Sequence, residues 1–93
     1  TVVSYGKNIE KSEIELVTSI FSCIGRVEEL PESMMSDVIA LTSSSPAYVF
    51  MMIEAMADAA VKFGIPRNTS YRLAAQTVMG SAKMVLEAGI LPN

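Results

Sequence analysis

The sequence predicts an all-α unit of about four helices, preceded by one short strand. Apolar residues recur at helical spacing along most of the chain, and Gly or Pro stands where each of these patterns stops. In addition, 51% of the 93 residues are hydrophobic and seven are Met, an apolar content that one core of this size does not readily cover. A Met-rich core is one explanation, and a partner that covers the remaining apolar surface is the other.

A strand and a helix are expected first. Thr1–Tyr5 is mostly β-branched or aromatic and ends at Gly6, which predicts a strand that is unpaired here and belongs to a sheet outside this sequence. Ser12 and Glu15 have the spacing of a capping box. The helix that they begin carries one apolar face and stops at Gly25; that face comprises Val17, Ile20, Phe21 and Ile24.

The second helix is expected to begin at Pro31 and Glu32 and to run to about Thr42. Pro loses no needed hydrogen bond in a first turn, and Glu meets the positive end of the helix dipole. Before it, Val27–Leu30 predicts either a brief strand or an extended link. The apolar face of this helix comprises Met34, Met35, Val38 and Ile39.

The third helix is the most apolar. Ser44 or Ser45 is expected to cap it, with Pro46 at its first position, and it should run to about Phe63 and close at Gly64. Its polar residues span only about 80° of the circumference; they are Glu54, Asp58 and Lys62. A helix that is apolar on the remaining sides is buried on most of them. A second copy of the chain is the simplest source of that cover.

The last helix is expected from about Asn68 to Glu87, with Gly89 ending it. Small residues on its apolar face let another helix approach closely. That face comprises Tyr71, Ala74, Ala75, Val78, Met79, Ala82, Val85 and Leu86, whereas Arg72, Gln76, Lys83 and Glu87 lie opposite.

Composition excludes several classes of function. A net charge of −3 without a basic run argues against a nucleic-acid partner. With no His and one Cys, neither a zinc site nor a Ser-His or Cys-His pair is expected. Cys23, expected to pack in an apolar helix pattern, fits a reducing compartment such as the cytoplasm. The sequence contains no run of 18 uninterrupted apolar residues, so no membrane span is predicted. The first residue is Thr rather than Met and the last residues directly follow a helical pattern, which suggests a piece of a larger protein.

Four blocks of sequence are specific: Pro46–Phe50 (PAYVF), Glu54–Ala59 (EAMADA), Gly64–Arg67 (GIPR) and Ala74–Met84 (AAQTVMGSAKM). Together they resemble the C-terminal dimerisation domain of pyrroline-5-carboxylate reductase. The resemblance implies that residues 1–6 are a strand left from the Rossmann sheet of a missing dinucleotide-binding domain. Residues 7–93 would then form the dimerisation domain, incomplete at its C-terminus.

The resemblance also implies a reaction and an assembly. Such enzymes pass hydride from NADPH or NADH to the C=N bond of 1-pyrroline-5-carboxylate and form L-proline, with the nucleotide held mainly by the Rossmann domain. They form homodimers, which can assemble further into a decamer. No Gly-x-Gly-x-x-Gly is present here, and the family's S-P-G-G-T-T segment should lie beyond Asn93. We therefore expect this fragment to contain no catalytic residue, to bind no cofactor and to be inactive alone.

By resemblance, Ser44, Ser45, Pro46 and Glu32 lie near the substrate or cofactor, although helix capping and an ordinary first-turn Glu also explain them. A capped helix start could present amides to the substrate carboxylate. The chain departs from the family at Ser43, where Gly is usual, and at Asp37, where the family's Asp stands one position earlier. The expected dimer interface comprises Val49, Phe50, Met52, Ile53, Met56, Ala60, Ala75, Val78, Met79 and Ala82.

Other interpretations remain open at this level. Glu54 and Asp58 form either a carboxylate pair or, as we expect, a solvated stripe, with Asp58 close to Lys62. Arg67 suits a phosphate site or, more commonly, a helix start. The chain as a whole could be a non-catalytic helical homodimerisation module from a divergent relative, or the helical domain of another Rossmann-type dehydrogenase. A Gly-rich turn upstream of Thr1 would favour an enzyme.

Overall fold

The computed structural model describes residues 1–91 of the chain. They fall into two compact units, the first Thr1–Ser44 and the second beginning at Ser45. The first unit contains strand β1 (Val2–Val3), helix α1 (Lys11–Ser22), strand β2 (Glu28–Glu29), a 3₁₀ turn (Glu32–Met34), helix α2 (Met35–Ile39) and a π-helical turn (Ala40–Ser44). The second contains helices α3 (Ser45–Lys62) and α4 (Arg67–Ala88). The predicted all-α class with a short N-terminal strand is confirmed.

The N-terminal strand has a partner within the chain, so the expectation of an unpaired strand was wrong. Strands β1 and β2 run parallel, with Val2 opposite Glu28 and Val3 opposite Glu29. The Glu28 N–H donates to the Thr1 carbonyl at 2.9 Å, and the Leu30 N–H donates to the Val3 carbonyl at 3.0 Å. Parallel strands need a crossover, and α1 supplies it. The brief strand, rather than the link, is therefore the correct interpretation of this region.

Helix α1 begins earlier than the capping pattern predicts. Glu10, not Ser12, is the N-cap, and its N–H donates to Glu13 Oε1 at 3.3 Å. The Glu13 N–H in turn donates to the Glu10 carbonyl at 3.0 Å. The same three-residue spacing is thus used two positions upstream, where the Glu13 carboxylate accepts from the N-cap N–H as the second residue of a capping box does.

Cys23 lies at the end of α1 and is exposed, so the predicted packing role was wrong within this chain. Its thiol donates to the Ser19 carbonyl at 3.4 Å. Nearby, the side chains of Tyr5 and Thr18 share a hydrogen bond of 3.1 Å between their hydroxyl oxygens. This bond ties the segment after β1 to the middle of α1.

The serine run does not cap a new helix, which corrects the prediction for Ser44 and Ser45. Residues 40–44 continue helically from α2 as a π turn, and Ser45 is already the first residue of α3. Pro46 has no N–H and its ring clashes with the carbonyl four residues earlier. A wider π turn before Pro46 relieves that clash and keeps the backbone helical.

Helices α3 and α4 form a helical hairpin that defines the second unit. Ala57 on α3 is completely buried (0% exposed), and Ala74 and Ser70 on α4 are buried as well. Ser70 Oγ donates to the Pro66 carbonyl at 2.9 Å, so its burial leaves no unpaired hydroxyl. The turn passes through Gly64, whose φ of 94° suits only glycine. Gly89, in the left-handed conformation, ends α4 as predicted.

Candidate dimer interface

The hairpin leaves much of its apolar surface open. Within the described chain, Phe50 is 72% exposed, Met52 48% and Met56 37%. The small side chains of Ala57 and Ala74 occupy the contact between the helices, so the larger side chains cannot all face it. Of the other residues predicted for the interface, Val49, Met79, Ala75 and Ala82 are exposed, and Ile53, Ala60 and Val78 are half-buried.

A groove of about 440 Å³ lies on this surface between α3 and α4. Met52 and Met56 of α3 form one side. The α4 side is formed by Thr77, Val78, Ser81, Ala82 and Val85. Met52, Met56, Val78 and Ala82 are all predicted interface residues, so the sequence pattern and the groove coincide.

The polar atoms of the groove are satisfied by α4 itself. Thr77 Oγ1 donates to the Leu73 carbonyl at 2.8 Å, and Ser81 Oγ donates to the Thr77 carbonyl at 2.9 Å. A hydroxyl that is already hydrogen-bonded costs little to remove from water. An apolar partner can therefore cover the groove without leaving an unpaired donor.

The charged residues near the turn pair with each other. Arg67, the first residue of α4, forms a salt bridge with Asp58 of α3, and its guanidinium lies 5.6 Å from the centre of the Tyr71 ring. The hydrogen bond that Arg67 donates to the Asp58 carboxylate raises the pKa of Arg67 above its already high ordinary value. The common helix-start interpretation of Arg67 is correct. Asp58 pairs across the turn with Arg67, a partner that the helical spacing to Lys62 did not indicate.

The residues predicted to lie near a substrate occupy two places. Glu32 lines an open cavity of about 580 Å³ in the first unit, together with β1, Tyr5, Val17 and Met35. Ser44 ends the π turn, and Ser45 and Pro46 begin α3. None of these three lines that cavity. The sequence did not indicate the cavity, since it depends on the pairing of β1 with β2.

Two further findings concern other classes of site. No group of three or more His, Cys, Asp or Glu residues within residues 1–91 is arranged to hold a metal ion. Judged by length and composition alone, the helical run Glu32–Lys62 is long and apolar enough to cross a membrane. The search for uninterrupted apolar residues did not find this run. Length and composition are weak grounds for a membrane helix, because a helix covered by another subunit has the same composition.

A family described as pyrroline-5-carboxylate reductase dimerisation matches residues 32–92. The chain belongs to this family. Pyrroline-5-carboxylate reductase from Escherichia coli is 59% identical over 77 residues, covering 83% of this chain and 29% of the relative. The enzyme of the same name from Methanosarcina acetivorans is 46% identical over 91 residues, covering 98% of this chain and 34% of the relative.

A solved structure agrees with this membership in the pyrroline-5-carboxylate reductase dimerisation family. The pyrroline carboxylate reductase of Plasmodium falciparum, with NADP bound, matches with a TM-score of 0.77 and 35% identity over 92% of this chain and 35% of that chain. The chain spans about a third of the length of the curated relatives it matches. Membership in a dimerisation family supports homo-oligomerisation, and the open groove between α3 and α4 is a surface suited to it.

Proposed function

We propose that the chain is the dimerisation and substrate-side domain of a pyrroline-5-carboxylate reductase. The whole protein would reduce 1-pyrroline-5-carboxylate to L-proline with NADPH or NADH in the cytoplasm. The observation that carries the proposal is the uncovered apolar groove between α3 and α4, whose two hydroxyls are internally satisfied. The names of the relatives, and the NADP bound to the Plasmodium falciparum enzyme, support the reaction.

The partner in this proposal is a second copy of the chain. The exposed side chains of Phe50, Met52 and Met56 need cover, and a two-fold dimer would bury the same surface on both copies. Further assembly of dimers into a decamer, and the absence of nucleic-acid and membrane partners, belong to the same proposal.

The substrate side of the proposal rests on Glu32, Ser44, Ser45 and Pro46. Because Ser44 and Ser45 lie within a continuous helical segment, the earlier idea that a capped helix start cradles an anion loses its physical basis. A π turn supports a functional role in another way, since such turns occur frequently at functional sites. Glu32, on the wall of an open cavity, is accessible to a small molecule.

In this proposal, the residues that bind NADPH or NADH lie outside these 93. The sequence contains no Gly-x-Gly-x-x-Gly turn, which is the usual cradle for a dinucleotide phosphate. We also propose that residues 1–6 belong to the sheet of the dinucleotide-binding domain and that the dimerisation domain follows from residue 7. The parallel pairing of β1 with β2 supports only the first half of this proposal, that β1 belongs to a larger sheet, because an isolated two-stranded sheet is marginally stable and parallel sheets are usually larger. It places β2, which lies after residue 7, in the same sheet.

Sedimentation tests the assembly. We expect the purified 93-residue chain to sediment as a dimer or a larger discrete oligomer at micromolar concentration, because monomers would expose the groove to water. Equilibrium sedimentation over a range of concentrations measures the association. A clean monomer with native helical content throughout that range would contradict the proposal.

An activity assay tests whether the chain can catalyse the reaction without a nucleotide-binding domain. The 93-residue chain, mixed with NADPH and 1-pyrroline-5-carboxylate, should oxidise no cofactor, because the nucleotide cradle is outside it. Absorbance of the reduced cofactor and proline formation are both measured, and a complete reductase serves as the positive control. Cofactor oxidation coupled to proline formation by the chain alone would refute this assignment.

A further inference from the structure

We propose that Met52 and Met56 form an oxidation site at which peroxides control assembly. Oxidation of the free chain at these two thioethers would block dimer formation, and assembly would protect them. The inference rests on the proposed dimer and adds a chemical means of regulating it.

The two methionines are placed for this role by α3. They lie four residues apart on one face of the helix and are 48% and 37% exposed. Both line the groove, opposite Val78, Ala82 and Val85 of α4. In the free chain, a peroxide can therefore reach the sulfur atoms that a partner would cover.

The groove offers no donor to a sulfoxide. A sulfoxide oxygen is a strong hydrogen-bond acceptor, and Thr77 and Ser81 supply the hydroxyls of the lining. Both hydroxyls already donate to carbonyls of α4, at 2.8 and 2.9 Å. A sulfoxide buried in the interface would thus lose its hydrogen bonds to water without replacement.

The chemistry needs only a peroxide. A sulfur lone pair attacks one peroxide oxygen, the O–O bond breaks, and an S–O bond forms. The sulfur is oxidised by two electrons and the peroxide is reduced. For hydrogen peroxide, the transferred oxygen gives up its proton to the departing hydroxide, which leaves as water. The product is a polar sulfoxide, which methionine sulfoxide reductases convert back.

The experiment compares the dimer before and after oxidation. The dilute 93-residue chain is treated with hydrogen peroxide, quenched and sedimented, with peptide mass spectrometry to identify the modified methionines. We expect sulfoxide at both sites to raise the dimer dissociation constant about tenfold or more. Treatment with methionine sulfoxide reductases should restore the original value.

Two variants distinguish the effect of oxidation at Met52 and Met56 from the effect of oxidation elsewhere in the chain. Met79, a predicted interface residue outside the groove, is 59% exposed, so every chain in this comparison carries Met79→Leu. In that background, Met52→Leu with Met56→Leu keeps the apolar volume and should dimerise normally and resist peroxide. Met34→Leu removes an equally exposed methionine, 49% exposed, from the first unit and should remain as sensitive as the parent chain.

Each outcome bears on a separate claim. Fully oxidised Met52 and Met56 with an unchanged dissociation constant would overturn this inference and leave the proposed dimer standing. Equal peroxide sensitivity of the double leucine variant would overturn it too. A monomeric untreated chain would overturn the proposed assembly, and the inference with it. Faster oxidation of Met34 than of Met52 and Met56 in the concentrated chain would be the expected sign of protection.

Discussion

Ala82→Asp converts the dimer into a folded monomer at micromolar concentration. Ala82 is exposed within the chain and lines the groove, so a carboxylate there is tolerated by the monomer. In the dimer, the carboxylate would be buried without a cationic partner, because the lining contains no Lys or Arg. Such burial costs several kcal/mol, and about 4 kcal/mol corresponds to about a thousandfold rise in the dissociation constant.

Gln76→Asp is the matched control for this prediction. It adds the same charge to the same helix at an exposed position outside the groove. Equilibrium sedimentation of both variants measures the dissociation constants, and circular dichroism verifies their helical content. Equal weakening by both variants would mean that added charge, rather than the groove, controls assembly, and an unchanged Ala82→Asp dimer would place the interface elsewhere.

Ala57→Leu is expected to lower the free energy of unfolding by about 1–3 kcal/mol, because it overpacks the hairpin. Ala57 is 0% exposed on α3, and Ala74 is buried on α4. The added carbon atoms have no space unless the two helices separate. Urea denaturation at a fixed protein concentration measures the change, since dimerisation makes the apparent stability depend on concentration.

Ala59→Leu provides the control for this second variant. It makes the same chemical change on the same helix, at an exposed position, and should alter the unfolding free energy by no more than about 0.5 kcal/mol. If Ala59→Leu lowered the free energy of unfolding as much as Ala57→Leu does, leucine in α3 would be destabilising for reasons other than contact with α4.

The two ends of α4, marked by Pro and Gly, were predictable to within a residue. The last helix was expected over residues 68–87 and spans Arg67–Ala88. Pro66 precedes its start and Gly89 ends it, and both act through their own backbone conformations. Such local restrictions are contained in the sequence, so they need no knowledge of the tertiary structure.

The serine run shows where local chemistry is ambiguous. Pro46 is compatible with the first turn of a new helix and also with a helix that widens into a π turn just before it. Ser44 and Ser45 suit a cap in the first case, and in the second they lie within the helix. The structure adopts the second arrangement, and no periodicity in residues 40–46 distinguishes the two.

Long-range pairings were the least predictable features. β1 meets β2 only because α1 returns the chain, and Arg67 meets Asp58 only because the hairpin closes. Among the many alanines of α3 and α4, burial singles out Ala57 and Ala74, although every alanine has the same apolarity. The exposed apolar surface of α3 and α4 could be anticipated better, because an excess of apolar side chains on a helix can be read directly from the sequence.

If the dimer forms through the groove between α3 and α4, the lining of that groove determines which conditions weaken the assembly. Its seven side chains include no ionisable group, so association through it gains nothing from opposite charges that acid or salt could remove. Covering apolar surface lowers the heat capacity, and the driving force weakens as the temperature falls. A dimer held together by this groove is therefore expected to weaken on cooling, whereas acid and salt should affect it little.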